Sequence, residues 1–123
     1  MNQPPLADQD QQPTALRLFW VTVAEQEQAE NIARDLIDRR LAACVNILPG
    51  LRSCFFWQGQ ACFENEVGLL VKTSCHQQKA CQERIIALHP YDLPCVIAVT
   101  PSSAHQPFAD WVLKQTQDAR LRP

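Results

Sequence analysis

The stretch 41–73 limits what this chain can fold into more than any other part of it. Two arms rich in β-branched and aromatic residues, 41–57 and 60–73, lie on either side of Gln58-Gly59. That pattern predicts a β-hairpin. Arms of about 13 residues, at roughly 3.3 Å per residue, reach on the order of 40 Å. A compact domain of this length has a radius of gyration of only about 14 Å. The hairpin therefore has to overhang its own core. Its outer part carries Phe55, Phe56, Trp57 and Phe63, and the expected cover for them is another copy of the chain. The loop length stays open. A two-residue loop pairs Phe55 with Cys62 and sends Cys54 to the other face, whereas a three-residue loop sets the two cysteines opposite each other.

The rest of the chain supplies a frame for this hairpin. Leu16 to Val23 is nearly all apolar, as a central strand buried on both faces would be. Thr22 and Glu25 have capping-box spacing, and Ala29, Ile32, Ala33, Leu36 and Ile37 then recur at helical spacing. Glu25, Arg34, Asp35 and Arg39 form the opposite, solvated face. Pro49-Gly50 marks a bend or bulge in the first hairpin arm. Ser74 and Gln77 form a second capping box before a helix that carries Cys81, Ile85 and Leu88, and His89-Pro90-Tyr91 ends it. Residues 93–100 form the last strand, with Pro94 suited to an edge. A final helix starts near Pro107 and presents Phe108, Trp111, Val112 and Gln115 on one face.

Strand, helix, strand, strand, helix, strand is the order of an α+β, ferredoxin-like βαββαβ sandwich. Here it has a long β2–β3 hairpin and an extra C-terminal helix. The helices are expected on one sheet face, which leaves the other bare in a monomer and gives a second reason for self-association. Residues 1–14, polar and Pro-rich, read as a disordered tail. Residues 15–118 read as one domain, and 119–123 as a frayed end.

Composition excludes several functions. A net charge of −2 with no basic run argues against nucleic acid, because phosphate binding needs clustered Lys and Arg. No apolar run approaches the ~20 residues of a membrane span. The start of the chain shows no basic segment followed by an apolar one, so a cytoplasmic location is expected. In that compartment Cys44, Cys54, Cys62, Cys75, Cys81 and Cys95 should be free thiols. No Cys-x-x-Cys pair, Gly-rich phosphate loop, nucleophile elbow or paired His at metalloprotease spacing is present, so the chain is expected not to be an enzyme.

The decapeptide Leu41-Ala42-Ala43-Cys44-Val45-Asn46-Ile47-Leu48-Pro49-Gly50 resembles the signature of the CutA family, the divalent-cation tolerance proteins. Phe56-Trp57-Gln58-Gly59-Gln60, Glu66, Lys72-Thr73, His89-Pro90-Tyr91-Asp92-Leu93-Pro94 and Phe108-Ala109-Asp110-Trp111 fall at that family's spacings. The resemblance covers about residues 16–117. It implies a ferredoxin-like homotrimer, distantly like PII signalling proteins and linked to copper and other divalent metals.

At positions where the resemblance places metal ligands, this chain has Val21 and Leu88, and His89 alone keeps a donor. Cys95, where the family has a Glu, adds a thiolate near the same strand end, and Cys44 is a further candidate. The expected metal residues are therefore His89, Cys95 and Cys44, with a copper ion held weakly. His89 also reads as a helix C-cap that meets the last carbonyls. Two other classes of function remain. One is a PII-like sensor that binds a small anion at subunit clefts through Lys72, Arg84 and Arg52, with Trp57 and Tyr91 lining the cleft. The other is a trimeric scaffold for a partner.

Overall fold

The structure, a computed structural model, describes residues 14–117 of the 123. The proposed tail and the frayed end lie outside the described residues, apart from Thr14. The elements run β1 (Leu16–Val23), α1 (Gln26–Asp38), β2 (Cys44–Trp57), β3 (Gln60–Ser74), a single 3₁₀ turn (Cys75–Gln77), α2 (Gln78–Leu88), β4 (Val96–Val99) and α3 (Gln106–Gln115). The four strands form one antiparallel sheet in the order β2-β3-β1-β4. This is the expected α+β arrangement with its extra helix.

The hairpin closes on two residues. Trp57 pairs with Gln60, and Gln58 and Gly59 both take left-handed φ, 51° and 80°, the type I′ geometry that matches strand twist. Phe55 faces Cys62 and Cys54 faces Phe63. Neighbouring rungs point to opposite faces, so Cys54 and Cys62 do not meet within a protomer. The register slips between Leu48 and Leu51, with Gly50 at φ 82°. This is the bulge announced by Pro49-Gly50.

β1 reaches only as far as the Val23–Val67 pair. Beyond it, residues 60–66 of β3 pair with β2 alone. The outer hairpin is therefore a two-stranded ribbon that leaves the sheet. Phe56 is 78% exposed, Phe63 60%, Trp57 48% and Phe55 40%.

One sheet face is dry. Phe19, Val21 and Val23 of β1 and Val67, Leu69 and Val71 of β3 pack there against Ala29, Ile32 and Leu36 of α1 and Cys81 and Ile85 of α2. Burial pushes the Cys81 thiol up to about 12, so Cys81 behaves as a core hydrophobe. Arg84 of α2 grips Asp35 of α1 with two bonds of 2.8 Å, and Arg39 joins from one turn on. Asp35 and Arg84 are therefore not part of a merely solvated face. They tie the two helices together.

The second face differs from expectation, because α3 covers one end of it. Thr116 at the end of α3 bonds Ser74 through their hydroxyls at 2.9 Å, Gln77 donates its amide to the Thr116 carbonyl, and the Lys72 ammonium lies over the Phe108 ring. Ser74 and Gln77 thus serve α3 instead of forming a capping box on α2. The buried residues at this contact are Leu16, Ala109, Val112 and Thr116. The α3 stripe is accordingly rotated from the expected one, which leaves Trp111 43% exposed. The first capping box is also displaced. Thr22 stays in β1, and the Gln28 side chain accepts from the Glu25 amide.

Where α3 ends its cover, the second face carries Trp20, Leu70, Ile97 and Val99, so β1 is sealed on one face and half-covered on the other. Gly68 is required here. A Cβ at Gly68 would lie 2.5 Å from the Trp20 ring and 2.9 Å from Leu51.

The Asp35–Arg84 tie sets an acid limit. The Arg84 hydrogen bond holds the Asp35 carboxyl at about 2 against an ordinary 3.8, with Arg39 adding to it against partial desolvation. Because the folded value is the lower one, this stabilisation is present above about pH 4 and is lost as pH falls toward 2. Replacing Arg84 with Met should lower stability at neutral pH and flatten that part of the acid limb. Denaturant unfolding at several pH values checks it, and parallel curves for the two proteins would refute the tie.

Candidate functional site

The candidate site lies where the sheet ends and the ribbon begins. Two positions define this boundary. Thr22 pairs with Gly68 near the last rung of β1, and Glu66 pairs with Leu51 immediately past the bulge. Into this corner comes the connection from α2 to β4. His89 caps α2, its amide bonded to the Ile86 carbonyl, and Pro90 prevents the helix from continuing.

Three hydrogen bonds link the parts. His89 Nε2 lies 2.8 Å from the Thr22 carbonyl oxygen, the Tyr91 amide donates to His89 Nδ1 at 3.1 Å, and the Tyr91 hydroxyl donates to Glu66 Oε2 at 2.8 Å. A carbonyl only accepts and an amide N–H only donates. The ring is therefore the neutral tautomer with its proton on Nε2. The Tyr91 ring meets the imidazole edge-on, with centroids 4.7 Å apart. His89 and Glu66 are buried, and Tyr91 is half-buried. Burial, the Glu66 bond and the nearby Glu66, Glu64 and Glu25 charges all push the Tyr91 phenol above its ordinary value.

The expected metal residues are distributed unevenly around this corner. Cys95 immediately precedes Val96, which pairs with Val21, so it flanks the same end of β1 as His89. Cys44 starts β2 on the opposite edge of the sheet and pairs with Lys72. Three strand spacings of about 4.8 Å put it roughly 14 Å away across the sheet, so Cys44 and Cys95 of one protomer do not share an ion. Among the described residues no three His, Cys, Asp or Glu side chains gather as a metal-holding group.

The candidate anion contacts each have an internal partner. Lys72 lies over Phe108, Arg84 holds Asp35, and Arg52 bonds Asn65 and lies over Phe63. Sequence reasoning placed Tyr91 and Glu66 separately and missed their pairing. The signal that could have found it is the rarity of a buried carboxylate without a donor.

The chain matches the family model of the CutA1 divalent ion tolerance protein over residues 17–115. It is 43% identical to the divalent-cation tolerance protein CutA of Thermus thermophilus over 96 residues, which covers 78% of this chain and 93% of that one. It is 32% identical to protein CutA of Mus musculus over 114 residues, 93% of this chain and 64% of that one. The crystal structure of CutA from Xylella fastidiosa superposes with a TM-score of 0.82 at 38% identity, covering 85% of this chain and all of the other.

Removing the Tyr91 hydroxyl leaves the buried Glu66 carboxylate short of a donor. Tyr91→Phe should destabilise the protein by about 1–3 kcal/mol, the usual penalty for stranding a buried polar group. Thermal unfolding near neutral pH reads it. A change within a few tenths of a kcal/mol would mean that water replaces the phenol at no loss.

Proposed function

Because the chain belongs to the CutA1 divalent ion tolerance protein family, we propose that it serves divalent-cation tolerance in the cytoplasm, as a homotrimer and without catalysing a reaction. The observation that carries this reading is the ribbon. Four aromatic side chains stand exposed on a two-stranded arm that its own sheet does not support. An isolated two-stranded hairpin is at best marginally stable in water, so the arm needs a neighbour. The half-covered second face, with Ile97 and Val99 exposed, asks for one as well. The number three comes from the family resemblance. Among the described residues no helix is long and apolar enough to cross a membrane.

Copper is the ion in this reading, and it is held weakly. Cys44 lies on the β2 edge and Cys95 beside the β4 edge, and opposite edges come together when the sheets of two copies abut. Thiolates are soft ligands that select copper(I). Copper is therefore taken in the reduced state, between protomers. The small-anion alternative is weaker, because its three cations are already engaged.

Light scattering at low micromolar concentration should report three times the 13.9 kDa chain mass. Trp57→Asp, which puts a charge into the covered arm, should dissociate the assembly. A folded monomer of the parent chain at that concentration would end the argument from the ribbon.

Calorimetry separates the metal reading from the assembly. Copper(I) should bind more tightly than copper(II), and Cys95→Ser should weaken copper(I) by tenfold or more. Equal affinities for the two redox states, unmoved by the substitution, would place the site elsewhere.

A further inference from the structure

We infer that His89 is a positioning residue and not a metal ligand, because both of its ring nitrogens are committed to holding the α2–β4 connection against β1. This stands on protomer geometry alone and is independent of the assembly. A neutral imidazole has one N–H and one free lone pair. The N–H is on Nε2, 2.8 Å from the Thr22 carbonyl oxygen. The lone pair is then on Nδ1, where the Tyr91 amide meets it at 3.1 Å.

The Nε2–H···O=C bond alone does not decide the matter, since it is also how proteins orient a ligating imidazole. Nδ1 decides it. The amide that occupies Nδ1 belongs to the second residue along, with Pro90 between. Proline fixes its own φ, so the Tyr91 N–H has little freedom to swing aside without rearranging residues 89–91. The Tyr91 ring shields the imidazole edge-on, and His89 is only 8% exposed. A metal would have to displace a bond already made to a buried ring, while the imidazoles of His76 and His105 stand exposed.

The same bonds give the residue its task. Thr22, His89, Tyr91 and Glu66 form one chain that fastens the connection to β1 at one end and to β3 at the other. His89 sets the Tyr91 backbone, and the backbone sets the phenol on Glu66.

The test uses the full chain, isotopically labelled, titrated with copper(II) sulfate near neutral pH. Long-range proton–nitrogen spectra should show His89 as the Nε2–H tautomer, with copper broadening reaching His76 or His105 first. His89→Gln should keep copper(II) affinity within twofold of the parent. It should also speed hydrogen exchange of the Tyr91 amide at least tenfold, because the Nδ1 acceptor is gone. Broadening of His89 ahead of the other two, or a tenfold loss of copper(II) affinity in His89→Gln, would overturn the inference. Unchanged exchange at Tyr91 would overturn the positioning role. Should the variant fail to fold, the parent spectra decide alone. Failure of copper(I) binding at Cys95 is read separately and leaves this result untouched.

Discussion

β3 is longer than the sheet it belongs to, and that mismatch organises the molecule. Its inner half lies between β1 and β2 and supplies the driest positions of the core, Leu69 and Val71. Its outer half has one partner and no core beneath it. The change occurs at a single rung, Val23–Val67, after which β1 turns away toward α1. A sheet end of this kind exposes carbonyls and amides that need partners. The Thr22 carbonyl is one of them, and His89 answers it. The bulge at Pro49-Gly50 falls at the same level, so β2 bends where β1 departs. Glu66 sits just beyond, where Tyr91 reaches it. The candidate site is thus a consequence of strand lengths before it is a collection of side chains.

The two faces of the sheet are held by different means. The first is closed by hydrophobic burial under α1 and α2 and fastened across by the Asp35–Arg84 pair. The second is closed only at its Leu16 end, where α3 packs and the Ser74, Gln77 and Thr116 bonds fix its last turn. The remainder includes the half-buried Trp20, whose ring sits against Gly68 where a side chain would collide with it. Together with the exposed Ile97 and Val99, the Trp20 ring makes the kind of patch that marks contact with another molecule.

Backbone turn signals and the strand and helix order were legible in the sequence, whereas the partners of individual side chains were not. Gln58-Gly59 and Pro49-Gly50 act through backbone φ at their own positions, so the turn and the bulge were legible. The apolar periods located the helices and strands. The two capping boxes were misread for different reasons. Ser74 is engaged by Thr116, 42 residues on, and Thr22 never leaves its strand. The α3 stripe was drawn through Phe108, Trp111, Val112 and Gln115, whereas the buried face is Ala109, Val112 and Thr116, so only Val112 was placed correctly. His89 was read from its neighbourhood, as a cap or a ligand. It does cap α2 through its amide, and its ring also serves a carbonyl 67 residues away, a distance at which sequence spacing carries no information.

The departures from the family's ligand pattern acquire a physical sense in this fold. Val21, at one position where the resemblance places a ligand, is wholly buried and faces Leu69 in the core. Leu88, at another, packs against the same core. Neither carries a donor, and the Val21 position is dry while that of Leu88 is partly so. A donor introduced there would have to be desolvated and satisfied, whereas valine and leucine at these points add to the burial that holds β1 and α2 together. The remaining donors are a histidine whose nitrogens are both engaged and thiols on opposite edges of the sheet. A protomer built this way offers a metal ion isolated ligands, and isolated ligands bind weakly. In the proposed reading the donors of a second copy complete the site, so the exposed aromatic ribbon and the scattered donors bear on the same proposal.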